Sequence, residues 1–251
     1  MSFKKLHIEI NHGVGYLLLS SGVRFNKLSI TTIRELRRAF AQLEDDRTVG
    51  AIVVSGYPGE SFAVGADIGQ MFHFTPTDAL HFAELGQALF DQIESCPKPV
   101  IGALNGITMG GGCDLAMACD IRIAVDTLKI AHPGARLGII TGFCGTRKLP
   151  RLVGKNAARE IFMTSEPYTA AEALQMGLVD RVYSGENFWT QIKLFAERIA
   201  RHPSNALGAA KKVLNASEDI SLKNGCALEA ALAGNLWRLP GTPNPPSSGL
   251  Q

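Results

Sequence analysis

Three consecutive glycines, Gly110, Gly111 and Gly112, separate an apolar run at residues 100–104 from a helix-forming segment at 113–118. Backbone free of side chains at a helix start leaves amide hydrogens unpaired, and these point with the positive end of the helix dipole at whatever docks there. In chemical terms this is a receptor for an anion or an oxyanion. The triplet also suits a tight turn or close packing, and alone it does not separate the two readings. It is not a Walker loop, because no Lys-Ser or Lys-Thr follows, and it lacks GxGxxG spacing. A second segment, Phe62-Ala63-Val64-Gly65-Ala66-Asp67-Ile68, follows the apolar run 51–54 and could supply another backbone amide at the same sheet edge. Alone, its Gly65 reads as a turn residue and its Asp67 as a helix cap. Together the two segments offer the pair of amides that makes an oxyanion hole.

Such amides must be positioned by strands and helices, and the periodicity supplies both. Residues 6–10 and 15–19 read as strands joined through a turn at 11–13. From Ile30 the spacing changes, with Ile33, Leu36, Phe40 and Leu43 three or four apart and Ser29 placed to cap, so a helix is expected there. Residues 51–54 read as a strand buried on both faces, and Phe82, Leu85, Leu89 and Ile93 mark a second helix. Next come a strand at 100–104, a glycine-rich turn at 105–112, a short helix at 113–118 and a strand at 121–125. Strand signals fade after about residue 155. Thr169 and Glu172 have capping-box spacing, Gly177 would end that helix, and Phe188, Ile192, Phe195 and Ile199 mark another. The expected organisation is an α/β core at 1–200, a helical C-terminal region at 201–239 and a disordered Pro/Gly/Ser-rich tail at 240–251.

Composition narrows the partners. Lys and Arg number 25 against 23 Asp and Glu, and a net charge of +2 is too small for a sequence-independent nucleic-acid binder. The longest uncharged stretch, residues 99–113, is shorter than the roughly 18 residues of a membrane span and is broken by glycines. Lys4, Lys5 and Glu9 leave no continuous apolar N-terminal segment for secretion, so the cytosol is the expected compartment. Five cysteines without CxxC or paired Cys/His spacing argue for reduced, buried thiols and against zinc.

Beyond these readings, the 62–68 segment, Lys98-Pro99-Val100-Ile101-Gly102-Ala103-Leu104-Asn105-Gly106 and Gly110-Gly111-Gly112-Cys113-Asp114-Leu115-Ala116-Met117-Ala118-Cys119-Asp120-Ile121 resemble the crotonase superfamily, typified by enoyl-CoA hydratases and isomerases. The likeness continues through Leu152-Val153-Gly154-Lys155 and residues 171–179. It implies an α/β fold built as a spiral of ββα units, with a helical C-terminal trimerisation region. It also implies an acyl-CoA thioester substrate whose carbonyl oxygen is held by the amides of Ala66 and Gly111. Ala63, Gly65, Asp67, Ile68 and Gly110 would line that site, and Lys27 is a candidate for the phosphates, although an exposed lysine is more often simply solvated. No metal and no separate cofactor are expected, coenzyme A being part of the substrate. The partner expected besides substrate is a second and third copy of the chain, as a homotrimer or a dimer of trimers.

The chain also departs from that pattern. Hydratases of the superfamily carry two glutamates, which together orient water and shuttle its proton. Here the first position is Asp114 and the second is Gly134, so one carboxylate is absent. Asp114 is the candidate for the remaining acid/base, against a plain reading as a helix-dipole aspartate. His132 and Arg136 flank the vacant position, either could contact substrate, and Arg136 would suit a carboxylate-bearing acyl group. Cys144 has no adjacent histidine to activate it, and Asp120 reads as structural. The expected activity is that of an enoyl-CoA hydratase/isomerase that stabilises a thioester enolate. Decarboxylation, thioester hydrolysis and non-catalytic acyl-CoA binding are the alternatives that Gly134 raises.

Overall fold

The computed structural model describes residues 3–20, 22 and 24–237, so the tail expected at 240–251 lies outside the described residues. The chain opens with an antiparallel hairpin, β1 (Leu6–Asn11) and β2 (Val14–Leu19), closed by the two-residue turn His12-Gly13. Helix α1 (Ile30–Asp45) starts where expected, with the Thr32 amide donating to Ser29 Oγ at 3.1 Å, and it buries Ile33, Leu36, Phe40 and Leu43. β3 (Ala51–Ser55) is buried throughout, as a central parallel strand must be. Then follow β4 (Ser61–Ala63), α2 (Ile68–Met71) and α3 (Pro76–Ser95), the last opened by a Thr75/Asp78 capping box. The middle of the chain carries β5 (Val100–Leu104), β6 (Ile107–Met109), α4 (Gly111–Ala118), β7 (Ile121–Val125), β8 (Lys129–Ala131) and a 3-10 helix, Pro133–Leu137. The rest is α5 (Gly145–Thr164), β9 (Tyr168–Thr169), α6 (Ala170–Gln175), β10 (Arg181–Tyr183), α7 (Phe188–Ala200), α8 (Ser204–Ala216) and α9 (Leu222–Leu236).

Two sheets result, one of six strands in the order β1-β2-β3-β5-β7-β10 and one of four in the order β4-β6-β8-β9. Along the chain β3 and β4, β5 and β6, and β7 and β8 each place one strand in the large sheet and the next in the small one before a helix returns. This repeat is the ββα spiral. Its consequence for function lies in the small sheet. β4, β6 and β8 run parallel, with Ala63 opposite Thr108 and Met109 opposite Ala131, so the loops leaving their C-terminal ends lie side by side. The Gly110 amide donates to the Ala131 carbonyl at 2.9 Å and locks two of those loops together.

Two expectations need correction. The stretch read as a turn at 105–112 contains β6, and α4 begins at Gly111 rather than 113. Strands also persist after residue 155, as β9 and β10. All three are two or three residues long, too short to show alternation, and are held by their neighbours in the sheet.

Lys98 shows how the spiral is tied. It is buried, and its ammonium donates to the Leu43 and Asp46 carbonyls at 2.6 Å each, closing the C-terminal end of α1. Hydrogen bonds from a charged donor to buried carbonyls are the stronger kind, so Lys98→Met is expected to destabilise the fold by about 2–3 kcal/mol. For a chain of this size that lowers the melting temperature by about 4–12 °C, which differential scanning calorimetry would read.

Candidate active site

The first loop is shaped by Leu28. Its amide donates to the Gly65 carbonyl at 2.8 Å and its carbonyl accepts from the Asp67 amide at 3.4 Å, an isolated parallel bridge centred on Ala66. In that geometry the bonded groups are those of the flanking residues, and Ala66 turns its own N–H to the other side. The other side is the start of α4. A Cβ on Gly65 would stand 2.9 Å from the Met109 carbonyl oxygen and 3.1 Å from the Gly111 nitrogen, so the two backbones are in contact there.

The second amide comes from Gly111, the first residue of α4 and therefore a donor without an intrahelical acceptor. The chain reaches it through Gly110 at φ 51 and ψ −119, a conformation closed to residues with a side chain. Gly112 permits the close approach of α4 to β4, since a Cβ there would lie 1.9 Å from the Ala63 carbonyl oxygen. The three glycines are thus turn, donor and contact, and the readings left open by sequence hold together. Among the described residues neither the Ala66 nor the Gly111 amide donates a hydrogen bond, and both residues are half-buried.

One turn into α4, on the face of Gly111, lies Asp114. It is fully buried. Its Oδ1 lies 3.1 Å from His132 Nε2, and its Oδ2 accepts from Thr141 Oγ1 at 2.5 Å. The first residue of α5 presses on the same carboxylate, for a Cβ on Gly145 would stand 2.1 Å from Oδ1. The carboxylate therefore sits against the N-terminal ends of two helices, an electrostatic setting that favours negative charge. A carboxylate accepts, so Nε2 is the donor of that contact, and the neutral-ring tautomer that fits it leaves Nδ1 without a proton.

His132 follows β8, is buried, and has its ring 4.6 Å from that of Phe162. Its Nδ1 has no hydrogen-bond partner. A cavity of about 600 Å³ lies beyond, lined by His132, Gly134, Ile140, Thr141, Arg159 and Phe162 among others; Ala66 and Gly111 do not border it. Gly134 itself suits the return of the chain just after the 3-10 helix, because a Cβ there would stand 2.8 Å from the Ile139 carbonyl oxygen.

The remaining candidates are placed more loosely. Ala63 is buried in β4 and meets α4 through its carbonyl. Asp67 stands at the N-cap position of α2 without a capping bond and pairs instead with the half-exposed Lys27 at 3.3 Å, while Ile68 begins that helix. Arg136 makes a surface ion pair with Glu166. Cys144 is half-buried and its thiol is pushed up by burial, which disfavours the nucleophilic thiolate. Asp120 is structural, accepting from the Val100 amide at 2.7 Å and pairing with Lys211 at 2.8 Å. From sequence His132 is a residue that could contact substrate, with no part in the proton transfer assigned to it. Its one available signal was a histidine two residues before Gly134, directly after a strand.

A family model described as enoyl-CoA hydratase/isomerase matches residues 9–238. A crotonyl-CoA hydratase of Syntrophomonas wolfei is 35% identical over 234 residues, spanning 93% of this chain and 90% of that protein. A short-chain-enoyl-CoA hydratase of Clostridium acetobutylicum is 32% identical over 237 residues, 94% of this chain and 91% of that protein. Among solved structures, an enoyl-CoA hydratase from Bacillus anthracis superposes with a TM-score of 0.90 at 27% identity, over 94% of this chain and 92% of the other. One from Thermoplasma volcanium gives 0.86 at 32% identity, over 93% and 92%. The matched span holds both amide-bearing loops and the Asp114–His132 pair, and the chain belongs to the enoyl-CoA hydratase/isomerase family of the crotonase superfamily.

Proposed function

We propose that the chain binds an acyl-CoA thioester and adds water across the double bond of a short enoyl group, with the thioester oxygen between the amides of Ala66 and Gly111. The observation that carries this reading is the pair of unsatisfied donors on two loops in contact, one turn of helix from a buried carboxylate. As a nucleophile adds at Cβ, charge moves onto the thioester oxygen, and the two N–H groups are already oriented to receive it. Losing one such donor typically removes about 3–4 kcal/mol of transition-state stabilisation. Asp114 anchors the acid/base centre. The names of the Syntrophomonas and Clostridium relatives favour a short acyl chain. Lys27, which pairs with Asp67 beside the Ala66 loop, is the residue we assign to the nucleotide end. Exposed Leu214, Leu222 and Trp237 on and after the last two helices suit burial between copies in a trimer.

Gly134 favours a second reading within the same chemistry, since moving one proton on a stabilised enolate needs a single base. The test is incubation of the protein with crotonyl-CoA in heavy water and mass analysis of the products. The expected product is 3-hydroxybutyryl-CoA carrying deuterium at Cα. Deuterium exchange without added water would select the isomerase-type reading, and neither change would overturn both.

A further inference from the structure

We propose that His132, oriented by Asp114, is the catalytic acid/base, its Nδ1 taking a proton from water and returning it to Cα; this rests on the acyl-CoA reading above. Asp114 is then a positioning residue. Both of its oxygens are engaged, by His132 and Thr141, and Gly145 closes on Oδ1, so no face of the carboxylate is left for a substrate atom. His132 has the opposite character. One nitrogen is fixed by Asp114, the ring is held against Phe162, and the other nitrogen is buried without a partner. An unsatisfied buried polar atom is costly, and the fold keeps this one beside a cavity that His132 itself lines. Its position is also telling: a Cβ on residue 134 would lie 4.0 Å from Nδ1, so the imidazole stands next to the place from which the missing carboxylate would have come.

The bond changes balance with one base. Nδ1 accepts a proton from water as the water oxygen bonds to Cβ, and the π electrons pass through Cα to the thioester oxygen held by the two amides. The imidazolium so formed faces the Asp114 carboxylate. Collapse of the enolate takes the same proton from Nδ1 to Cα and restores the neutral ring, so one molecule of water is consumed and nothing else. The charged groups around this ring are Asp114 on α4 and, along the cavity it lines, Arg147, Arg151, Lys155 and Arg159 on α5.

The test is steady-state kinetics of His132→Gln and His132→Asn with crotonyl-CoA as a function of pH, with thermal unfolding as the control for folding. The glutamine variant retains an amide near the Nε2 position, and the asparagine variant retains one near Nδ1. The expected result is a kcat lower by about 10²–10⁴-fold in both, with KM near the wild-type value, and loss of the acid limb of the wild-type pH profile. A folded variant with wild-type kcat, or one that keeps the acid limb, would overturn the role of His132 and leave the acyl-CoA reading standing. A wild-type protein that neither hydrates nor exchanges crotonyl-CoA sinks that reading and this inference with it. Should both variants unfold, the ¹⁵N signal of His132 Nδ1 in the wild-type protein decides. It is expected to move when 3-hydroxybutyryl-CoA is added, and an unchanged signal contradicts the proposal.

Discussion

Asp114→Asn is expected to lower kcat by about 10³–10⁴-fold, or ~4–5.5 kcal/mol of transition-state stabilisation, with KM near the wild-type value. The substitution is isosteric, and the pocket around it admits nothing larger: Gly145 closes on one oxygen and Thr141 bonds the other, while a longer glutamate would collide with the start of α5. Asparagine fills the same volume but changes the electrostatics in two ways. It removes the negative charge that faces His132 across 3.1 Å, and it lets an amide N–H turn toward Nε2 and force the ring into the other tautomer. Where an aspartate orients a histidine in a hydrolase triad, this change costs about 10⁴-fold. Steady-state rates with crotonyl-CoA would measure it. A kcat within a few-fold of wild type would reduce Asp114 to a helix-end anion, the plainer of the two readings open from sequence.

The glycine triplet and the 62–68 loop were legible as sources of backbone donors, because that chemistry is backbone chemistry, and the family resemblance narrowed them to the amides of Ala66 and Gly111. Gly110 and Gly112 betray the positions where side chains are excluded, and the segment around Ala66 supplies a matching loop after a buried strand. The helices were legible for a similar reason: Ser29, Thr169 and the three-to-four spacing in α1 and α7 are local signals, and local hydrogen bonds confirm them. What could not be read depends on contacts distant in sequence. β6, β9 and β10 exist because a neighbouring strand accepts them, and their own two or three residues carry no pattern. Lys98 closes a helix whose carbonyls lie more than fifty residues earlier. The ion pair of Arg136 with Glu166 joins residues thirty positions apart and has no local signal. His132 is the most consequential case. A lone histidine after a strand is a faint signal that names no partner, and only the register of β6 against β8 sets it against an aspartate eighteen residues before it.

The same register makes Gly112→Ala a test of how tightly the fold and the site are coupled. The added methyl carbon would stand 1.9 Å from the Ala63 carbonyl oxygen, 2.6 Å from its carbon and 3.0 Å from its Cβ, contacts with a buried strand rather than with a movable side-chain tip. Relief requires α4 and β4 to separate by more than an ångström. Overpacking of this kind costs on the order of 3 kcal/mol, which for a chain of this length is a fall in melting temperature of about 6–12 °C. Activity should fall further than stability. Gly111 precedes the added methyl by one residue and Ala66 follows Ala63 by three, so the separation that relieves the clash also spreads the two amides proposed to hold the thioester oxygen. A misplacement of about 1 Å at a reacting centre is worth about 10²-fold in rate. Gly69→Ala is the control, because a Cβ there meets only Asp67 Oδ1 at 3.4 Å, an ordinary contact, and the residue lies in helix α2. Calorimetry and crotonyl-CoA kinetics on the two variants should show the alanine at 112 lowering both quantities and the alanine at 69 lowering neither. Equal melting temperatures would mean that α4 does not rest on β4 as closely as the Gly112 geometry requires.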